Sequence, residues 1–407
     1  MAAAVTERFP AVKRPSGESR GAGGPRCAAR LDTRGLVRLF HLYRPRVPSV
    51  RAQSVQVVHT CHALAARGHE VTLLADRADE ADPTRALAAY GLDSPPGLHL
   101  EIAPTSWPPY AGLSFRWGLS RWCRGAGPDA VGSASVGSES VGSASNGQRS
   151  VVYARAKRYV QRVPRHIPVV LEVHEVDSEL ARERGEDPSA LVTLEARVLE
   201  RAAGVVANCA GTLSLLQEVH RLKIPAVVIH NATRADRAVQ RHPAPAPVVG
   251  YTGSPRSYKG LHHVFASMGA WPAGVTLELV GGIPDGTLPP GVVARPAVPY
   301  GELPAILARY HALLLPLDDN LFGRSLTNPL KLWDYLATGI PIVAADLPGI
   351  VEVGGSALHT YRPGDAASLA DAVRRALAAG SAVPRLRTWD DRAAEIEDFL
   401  RSLPGLT

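Results

Sequence analysis

The chain has 407 residues, of which 45% are hydrophobic and 20% charged, so it is long enough for two domains with separate cores. The formal charge is +7, but the basic residues are spread along the sequence and form no dense run interleaved with aromatic residues. This distribution argues against a nucleic-acid-binding face and suits phosphorylated substrates or anionic lipids.

The cysteines and the N-terminal segment indicate the cellular compartment. Cys27, Cys61, Cys123 and Cys209 lie far apart without CxxC spacing, which predicts reduced cytosolic thiols. No apolar run reaches the length of about eighteen residues that a membrane-spanning helix needs. Residues 1–34 lack the apolar centre of a signal peptide and are predicted to be a disordered extension. We expect a cytoplasmic protein, with peripheral association at the inner face of a membrane as a further option.

The first domain is predicted over residues 35–243. "LVRLFHLYRP" indicates a buried strand, and "VQVVHTCHALAARGHEVTLLAD" indicates a helix, a C-cap at Gly68 and a second strand from about Glu70 to Ala75. Residues 131–147 contain the Gly/Ser repeat "VGSASVGSESVGSAS", which predicts a flexible loop. Strands and helices then alternate through "IPVVLEVHE", "ALVTLEARVLERA", "GVVANC", "TLSLLQEVHRL" and "PAVVIHN". The pattern predicts a doubly wound parallel sheet.

A Pro/Ala linker from about residue 242 separates a second domain, predicted over residues 247–385. Its predicted elements include the strands "VVGYTG", "TLELVGG" and "ALLLPL" and the helices "GLHHVFASMG", "GELPAILARY" and "AASLADAVRRALAAG". Residues 386–403 predict a final amphipathic helix. The fold class is therefore α/β, with two doubly wound Rossmann-like domains facing a cleft, where ligands of open α/β sheets bind.

The segment "YTGSPRSYKGLHHV" combines Gly253, two cations at Arg256 and Lys259, and the start of a helix at Gly260 or Leu261. Free backbone N–H groups, a glycine and nearby cations favour a phosphate or diphosphate. The alternative is that both cations only solvate a loop. Gly281 and Gly282 follow the next strand, where they could let a flat base lie against the backbone or simply form a tight turn.

The segment "NPLKLWDYLATGIPIVAAD" places Lys331 three residues before Asp334 on a short predicted helix. A carboxylate can accept hydrogen bonds from both hydroxyls of a ribose, and a lysine beside it can neutralise the attached diphosphate. The alternative is an ordinary intrahelical salt bridge.

Six segments, in order, resemble the retaining glycosyltransferases of family 4, which have the GT-B fold. They are "ALAARGHEVTLLA", "VVLEVHE", "AAGVVANCAGTLSLL" with "AVVIHNA", "GYTGSPRSYKGLHHV", "LELVGG" and "NPLKLWDYLATGIPIVAADLPGIVE", within residues 36–403. The resemblance implies that the last helix crosses back to the first, acceptor-side domain.

The resemblance also implies an activity and a set of site residues. A hexosyltransferase-type enzyme would move a sugar from a nucleoside diphosphate sugar to an acceptor hydroxyl with retention of configuration, in glycan, polysaccharide or glycolipid biosynthesis. The implied catalytic residues are His174, Arg256 and Lys259, with no metal or other cofactor. The implied donor-binding residues are Gly253, Arg256, Lys259, Gly281, Gly282, Asn328, Lys331 and Asp334. The partners would be a nucleotide sugar and a glycan, lipid-linked or small-molecule acceptor, without nucleic acid; nothing indicates the oligomeric state.

The sequence departs from the family pattern at identifiable positions. The first of the family's two glutamates falls on Leu326, and Asp318 or Asp319 could replace it only if their loop folds back. The usual Asn-Gly of the joint reads Asn231 and Ala232, and "YRPRVPSVRAQS" lacks the glycines of the family's first turn.

Other functions remain open at this point. A nucleotide-sugar epimerase shares the fold but needs no acceptor, and a non-catalytic nucleotide-sugar-binding protein would explain Leu326. A lone histidine at a strand end, such as His174, is also commonly structural. The sequence lacks the GxGxxG of a nicotinamide-dependent dehydrogenase, Cys/His metal spacing and a nucleophile elbow.

Overall fold

A computed structural model describes residues 36–77, 80–102, 110–125, 149–234, 236, 240–284 and 286–406. The predicted N-terminal extension and the Gly/Ser loop lie outside these ranges. Within them the chain forms two parallel sheets, each covered by helices.

The first sheet contains eight parallel strands in the order β2, β3, β1, β5, β6, β7, β8, with β4 paired to β3. The strands are β1 Val37–Leu42, β2 Arg46–Val47, β3 Glu70–Arg77, β4 Leu98–Ile102, β5 Arg149–Ala154, β6 Val169–Val173, β7 Gly204–Ala207 and β8 Ala226–Val228. The helices are α1 Ala52–Ala66, α2 Pro83–Ala88, α3 Tyr110–Arg124, α4 Asp177–Glu183, α5 Ser189–Arg201 and α6 Ala210–His220.

The second sheet contains six parallel strands in the order β11, β10, β9, β12, β13, β14. The strands are β9 Val248–Thr252, β10 Thr276–Val280, β11 Val292–Arg295, β12 Ala312–Leu315, β13 Ile342–Ala345 and β14 Leu358–Tyr361. The helices are α7 Leu261–Ser267, α8 Leu303–Leu307, α9 Leu330–Thr338, α10 Pro348–Gly354, α11 Ala366–Ala378 and, beyond the sheet, α12 Trp389–Ser402. The strand order reverses between β9 and β12, which places a ligand-binding crevice at their carboxyl ends.

The last helix, α12, crosses back to the first domain, as the resemblance implies. Its residues Trp389, Ile396, Phe399 and Leu400 are buried in one apolar cluster with residues of α1, β1 and β3. A capping box at Thr388 and Asp391 starts the helix, because each side chain pairs with the other's backbone N–H. The C-terminus therefore contributes to the core of the first domain rather than the second.

No helix in the described ranges is both long and apolar enough to cross a membrane.

Candidate functional site

The crevice of the second domain is shaped by glycines after β9 and β10. Gly253, Gly281 and Gly282 have φ angles of 124°, 136° and 138°, a region that side chains rarely allow. Gly253 N–H donates to the Val280 carbonyl at 2.7 Å. A β-carbon at Gly281 would lie only 2.5 Å from the Gly253 carbonyl oxygen, so the two turns need glycine to pack together. Their contact with a base or phosphate remains a prediction.

The loop after β9 carries the two predicted cations. Arg256 is exposed, whereas Lys259 is partly buried at the end of a short 3-10 turn, Ser257–Lys259. Lys259 Nζ lies 4.7 Å from the centre of the Tyr258 ring and 5.7 Å from that of Phe322. Burial, with a smaller contribution from Arg256, lowers the pKa of Lys259 to about 8. An anion nearby would favour the charged form of this amine.

Lys331 lies on α9, and its side chain lies beside the loop after β9. Its Nζ is 3.9 Å from the centre of the Tyr251 ring and 3.0 Å from where a β-carbon of Gly253 would lie. The nitrogen is buried and makes no hydrogen bond within the described ranges. Burial and then the charge of Lys259 hold the pKa of Lys331 well below its usual range. The structure thus places Lys331 beside Gly253, in the loop that also carries Lys259.

Asp334, on the same helix, lies in a different environment. Its carboxylate oxygen Oδ1 accepts hydrogen bonds from Thr233, in the joint between the domains, and from the Tyr300 hydroxyl at 2.8 Å. Lys331 Nζ has no hydrogen bond to this carboxylate, so the structure does not support the intrahelical salt bridge. Ribose binding by Asp334 remains a prediction.

Asn328 belongs to a buried hydrogen-bond network between the domains. Its amide nitrogen lies 2.5 Å from the Asn208 carbonyl oxygen and 2.6 Å from His230 Nδ1, and its side-chain oxygen accepts from Trp333 Nε1 at 2.9 Å. Asn231 donates to the Asn328 backbone carbonyl at 2.7 Å. The structure thus gives Asn328 a role in joining the domains, and direct donor contact remains a prediction.

His174 follows β6 at the carboxyl edge of the first sheet. Its Nε2 lies 2.6 Å from Glu172 Oε1, and burial, followed by the charge of Arg155, lowers its pKa to about 4. The imidazole is therefore neutral at neutral pH. Because Glu172 is the acceptor, we assign the proton to Nε2, which leaves Nδ1 as an acceptor.

The support behind His174 was not predicted from the sequence. Arg392 of α12 donates to Glu172 Oε1 at 2.7 Å, and Gln56 of α1 donates to the same oxygen at 2.8 Å. Burial alone would raise the pKa of Glu172, but Arg392 and His174 outweigh it and hold that pKa well below its usual range. An acidic residue inside the apolar strand "VVLEV" was the available signal, since a buried carboxylate requires partners.

Leu326 is the residue on which the resemblance places the family's first glutamate. It is buried at the end of a π-helical turn, Phe322–Leu326, and packs into an apolar cluster made mostly of first-domain residues. Its carbonyl accepts from Asn208 at 2.9 Å. This position is therefore an apolar contact between the domains.

The two aspartates considered as replacements for that glutamate face other groups. Asp319 pairs with Arg324 at 3.0 Å, and Asp318 Oδ1 lies 3.7 Å from His263 Nε2.

Comparison with known proteins agrees with this architecture. Residues 51–232 match the model of the glycosyl transferase 4-like domain, and residues 246–379 match that of the glycosyl transferases group 1. The chain therefore belongs to the GT-B glycosyltransferases of the family 4 and group 1 type. A search among curated proteins found no significant match.

Solved structures share the fold over most of their length. Sucrose-phosphate synthase from Thermosynechococcus elongatus is 16% identical, with 91% of this chain and 95% of that one covered and a TM-score of 0.63. HepE from Anabaena, solved with UDP and glucose, is 14% identical, with 90% and 100% covered and a TM-score of 0.62. WaaG, a glycosyltransferase involved in lipopolysaccharide biosynthesis, is 14% identical, with 89% and 95% covered and a TM-score of 0.55. At these identities the likeness concerns the fold.

Proposed function

We propose that this protein transfers a hexose from a nucleoside diphosphate sugar to an acceptor hydroxyl with retention of configuration, in glycan, polysaccharide or glycolipid synthesis. The observation that carries the proposal is the buried amine of Lys331, which lies beside Gly253 without a hydrogen bond in the described structure. A second amine with a lowered pKa, that of Lys259, belongs to the loop that contains Gly253. Two desolvated amines at the carboxyl end of β9 favour a dianionic ligand such as a diphosphate.

The chemistry assigned to these residues is electrostatic. Negative charge grows on the diphosphate as the bond to the sugar breaks, and Arg256 and Lys259 would stabilise it, with Lys331 in support. These protein cations would stabilise the leaving diphosphate without a catalytic metal ion. UDP is the first nucleotide to test, because HepE was solved with UDP and with UDP-glucose.

His174 would contact the transferring sugar from the first domain. Its neutral ring, oriented by Glu172, offers an acceptor to a sugar hydroxyl. Glu172 and Arg392 act through His174 and are positioning residues.

The test begins with thermal shifts of the full chain against UDP-, GDP-, ADP- and dTDP-sugars, because a bound donor raises the melting temperature by mass action. Turnover with an acceptor panel follows, after removal of divalent ions and with or without added Mg²⁺. We expect turnover without Mg²⁺ and a product with retained anomeric configuration. A changed sugar formed without an acceptor would identify an epimerase instead, and donor binding without any turnover would identify a non-catalytic binding protein.

Peripheral contact with a membrane is a separate part of the proposal, supported by α3. Leu113 and Trp117 on this helix are 52% and 61% exposed. Arg116 is exposed beside them, and the Arg121 guanidinium lies 5.0 Å from the Trp117 ring centre. An exposed aromatic residue among arginines suits an anionic lipid surface. Vesicles with anionic lipid should retain the protein and should release it upon Trp117→Ser substitution; equal retention by both proteins would contradict this.

A further inference from the structure

Two adjacent histidines and an aspartate meet beside the loop that carries Lys259. His262 and His263 lie in the first turn of α7, and Asp318 follows β12. One ligand atom of each side chain can be chosen so that all three atoms lie within 4.8 Å of one another. His263 Nε2 is 3.7 Å from Asp318 Oδ1, and the two imidazole centres are 3.8 Å apart.

The fold brings these residues together at the point where the strand order reverses. β9 and β12 are neighbours, so the loops that follow them meet at one edge of the sheet. Gly260, with a φ of 67°, lets the first loop approach the second: a β-carbon there would lie 3.1 Å from Asp318 Oδ1. The His-His-Asp cluster therefore connects the start of α7, which follows the loop of Lys259, with the loop after β12.

The aspartate contributes a buried carboxylate oxygen to this cluster. Asp318 Oδ1 is buried and has no hydrogen-bond donor among the described residues. A buried carboxylate oxygen without a hydrogen-bond donor is costly, and a cation would satisfy it. The Asp318 and His263 side chains are nevertheless 26% and 33% exposed, so an ion can enter and water can complete its coordination.

Two imidazoles and one carboxylate select a particular class of ion. Imidazole suits zinc, copper, iron and nickel, whereas magnesium and calcium prefer oxygen ligands. Metal–ligand distances of about 2.0–2.2 Å place neighbouring ligand atoms of a tetrahedral site about 3.3 Å apart. The 3.7 Å between His263 and Asp318 is close to this spacing, so small side-chain rotations would complete the site.

We propose that His262, His263 and Asp318 bind a divalent transition-metal ion, with zinc as the probe. The ion would link the start of α7 to the loop after β12 and restrain the adjoining segment that carries Arg256 and Lys259. It would lie beside the donor crevice and take no part in the transfer of the sugar. The proposal goes beyond the proposed function and does not rest on it, since binding is measurable without turnover.

The experiment is calorimetric titration of zinc into the metal-free full chain near neutral pH. One zinc ion per chain is expected, with a rise in melting temperature that magnesium does not reproduce. His262→Gln, His263→Gln and Asp318→Asn should each weaken zinc binding on the order of 10- to 100-fold or more, the range known for residues that merely support metal ligands.

The matched control is His242→Gln, which removes an exposed histidine outside the cluster and should leave zinc binding unchanged. Circular dichroism of each variant checks that it is folded. Cobalt offers a second readout, because its visible absorption reports the ligands directly and should be lost in the cluster variants alone. The proposal is overturned if zinc does not bind, or if its affinity is the same in all three cluster variants as in the parent chain.

Discussion

The guanidinium of Arg392 donates to the Glu172 carboxylate at 2.7 Å, and both side chains are 1% exposed. The arginine belongs to α12 and the glutamate to β6, so this ion pair attaches the C-terminal helix to the centre of the first sheet. The same glutamate orients His174. Docking of the last helix is therefore coupled to the position of a candidate catalytic side chain.

Replacing Arg392 with methionine should lower the free energy of unfolding by about 3–5 kcal/mol, because it leaves the buried Glu172 charge without its arginine. The double variant Glu172→Gln/Arg392→Met should recover part of that loss, since it buries no uncompensated charge. Denaturant unfolding measures both. Arg401→Met, at an exposed arginine of the same helix, is the matched control and should change stability little. A single variant no less stable than this control would show that the ion pair does not matter for folding.

Truncation after residue 385 should destabilise the first domain. It removes α12, whose buried Trp389, Ile396 and Phe399 belong to one apolar cluster with side chains of α1 and β3. The truncated chain should melt at a lower temperature and bind more of a dye that reports exposed apolar surface. Identical melting of the two chains would mean that the helix adds no stability.

Asp334→Asn should weaken nucleotide-sugar binding by about 1.5–3 kcal/mol, the range for hydrogen bonds to a charged group. Calorimetry with the nucleoside diphosphate measures this. Tyr300→Phe is the matched control, because it removes one protein hydrogen bond of Asp334 and keeps the carboxylate. If Asp334→Asn and Tyr300→Phe have equal effects, Asp334 supports the fold and does not hold the ribose.

Lys259→Met should reduce kcat by roughly two orders of magnitude, the loss typical when one preorganised oxyanion donor is removed. The donor KM should change less, because the interaction strengthens as charge develops on the diphosphate. Lys223→Met removes an exposed lysine of the first domain and should leave both constants unchanged. Unchanged kcat together with a raised KM would show that Lys259 only binds the donor and does not stabilise the transition state.

Donor affinity should fall as the pH rises above about 8, where the Lys259 amine of the free protein loses its proton. A bound diphosphate favours the protonated amine, so donor binding is strongest below this pKa. Above this pKa the amine must take up a proton when the donor binds, and the free energy of binding becomes less favourable as the pH rises. Calorimetric titrations of the donor across this range measure the slope. Lys259→Arg stays charged and should flatten the dependence. An equally steep profile in that variant would assign the titration to another group.

The sequence by itself determined the alternation of strands and helices, because apolar periodicity and capping residues act over a few neighbours. The helix before Gly68 ends at Ala66, and Gly68 takes the positive φ of 99° for which glycine is suited. This pattern and the family motifs predicted parallel strands in both sheets, the GT-B class and the return of α12 to the first domain.

Only the tertiary structure decided which polar side chains meet. Arg392 lies 220 residues from Glu172, and Asp334 lies 101 residues from Thr233. Asp318 and His263 come together only because β9 and β12 are neighbours. Such pairs depend on the direction in which loops leave the sheet and on the way the two domains pack. No local pattern of residues encodes either of these, so spacing along the chain could place Lys331 and Asp334 on one helix without showing that they face different partners.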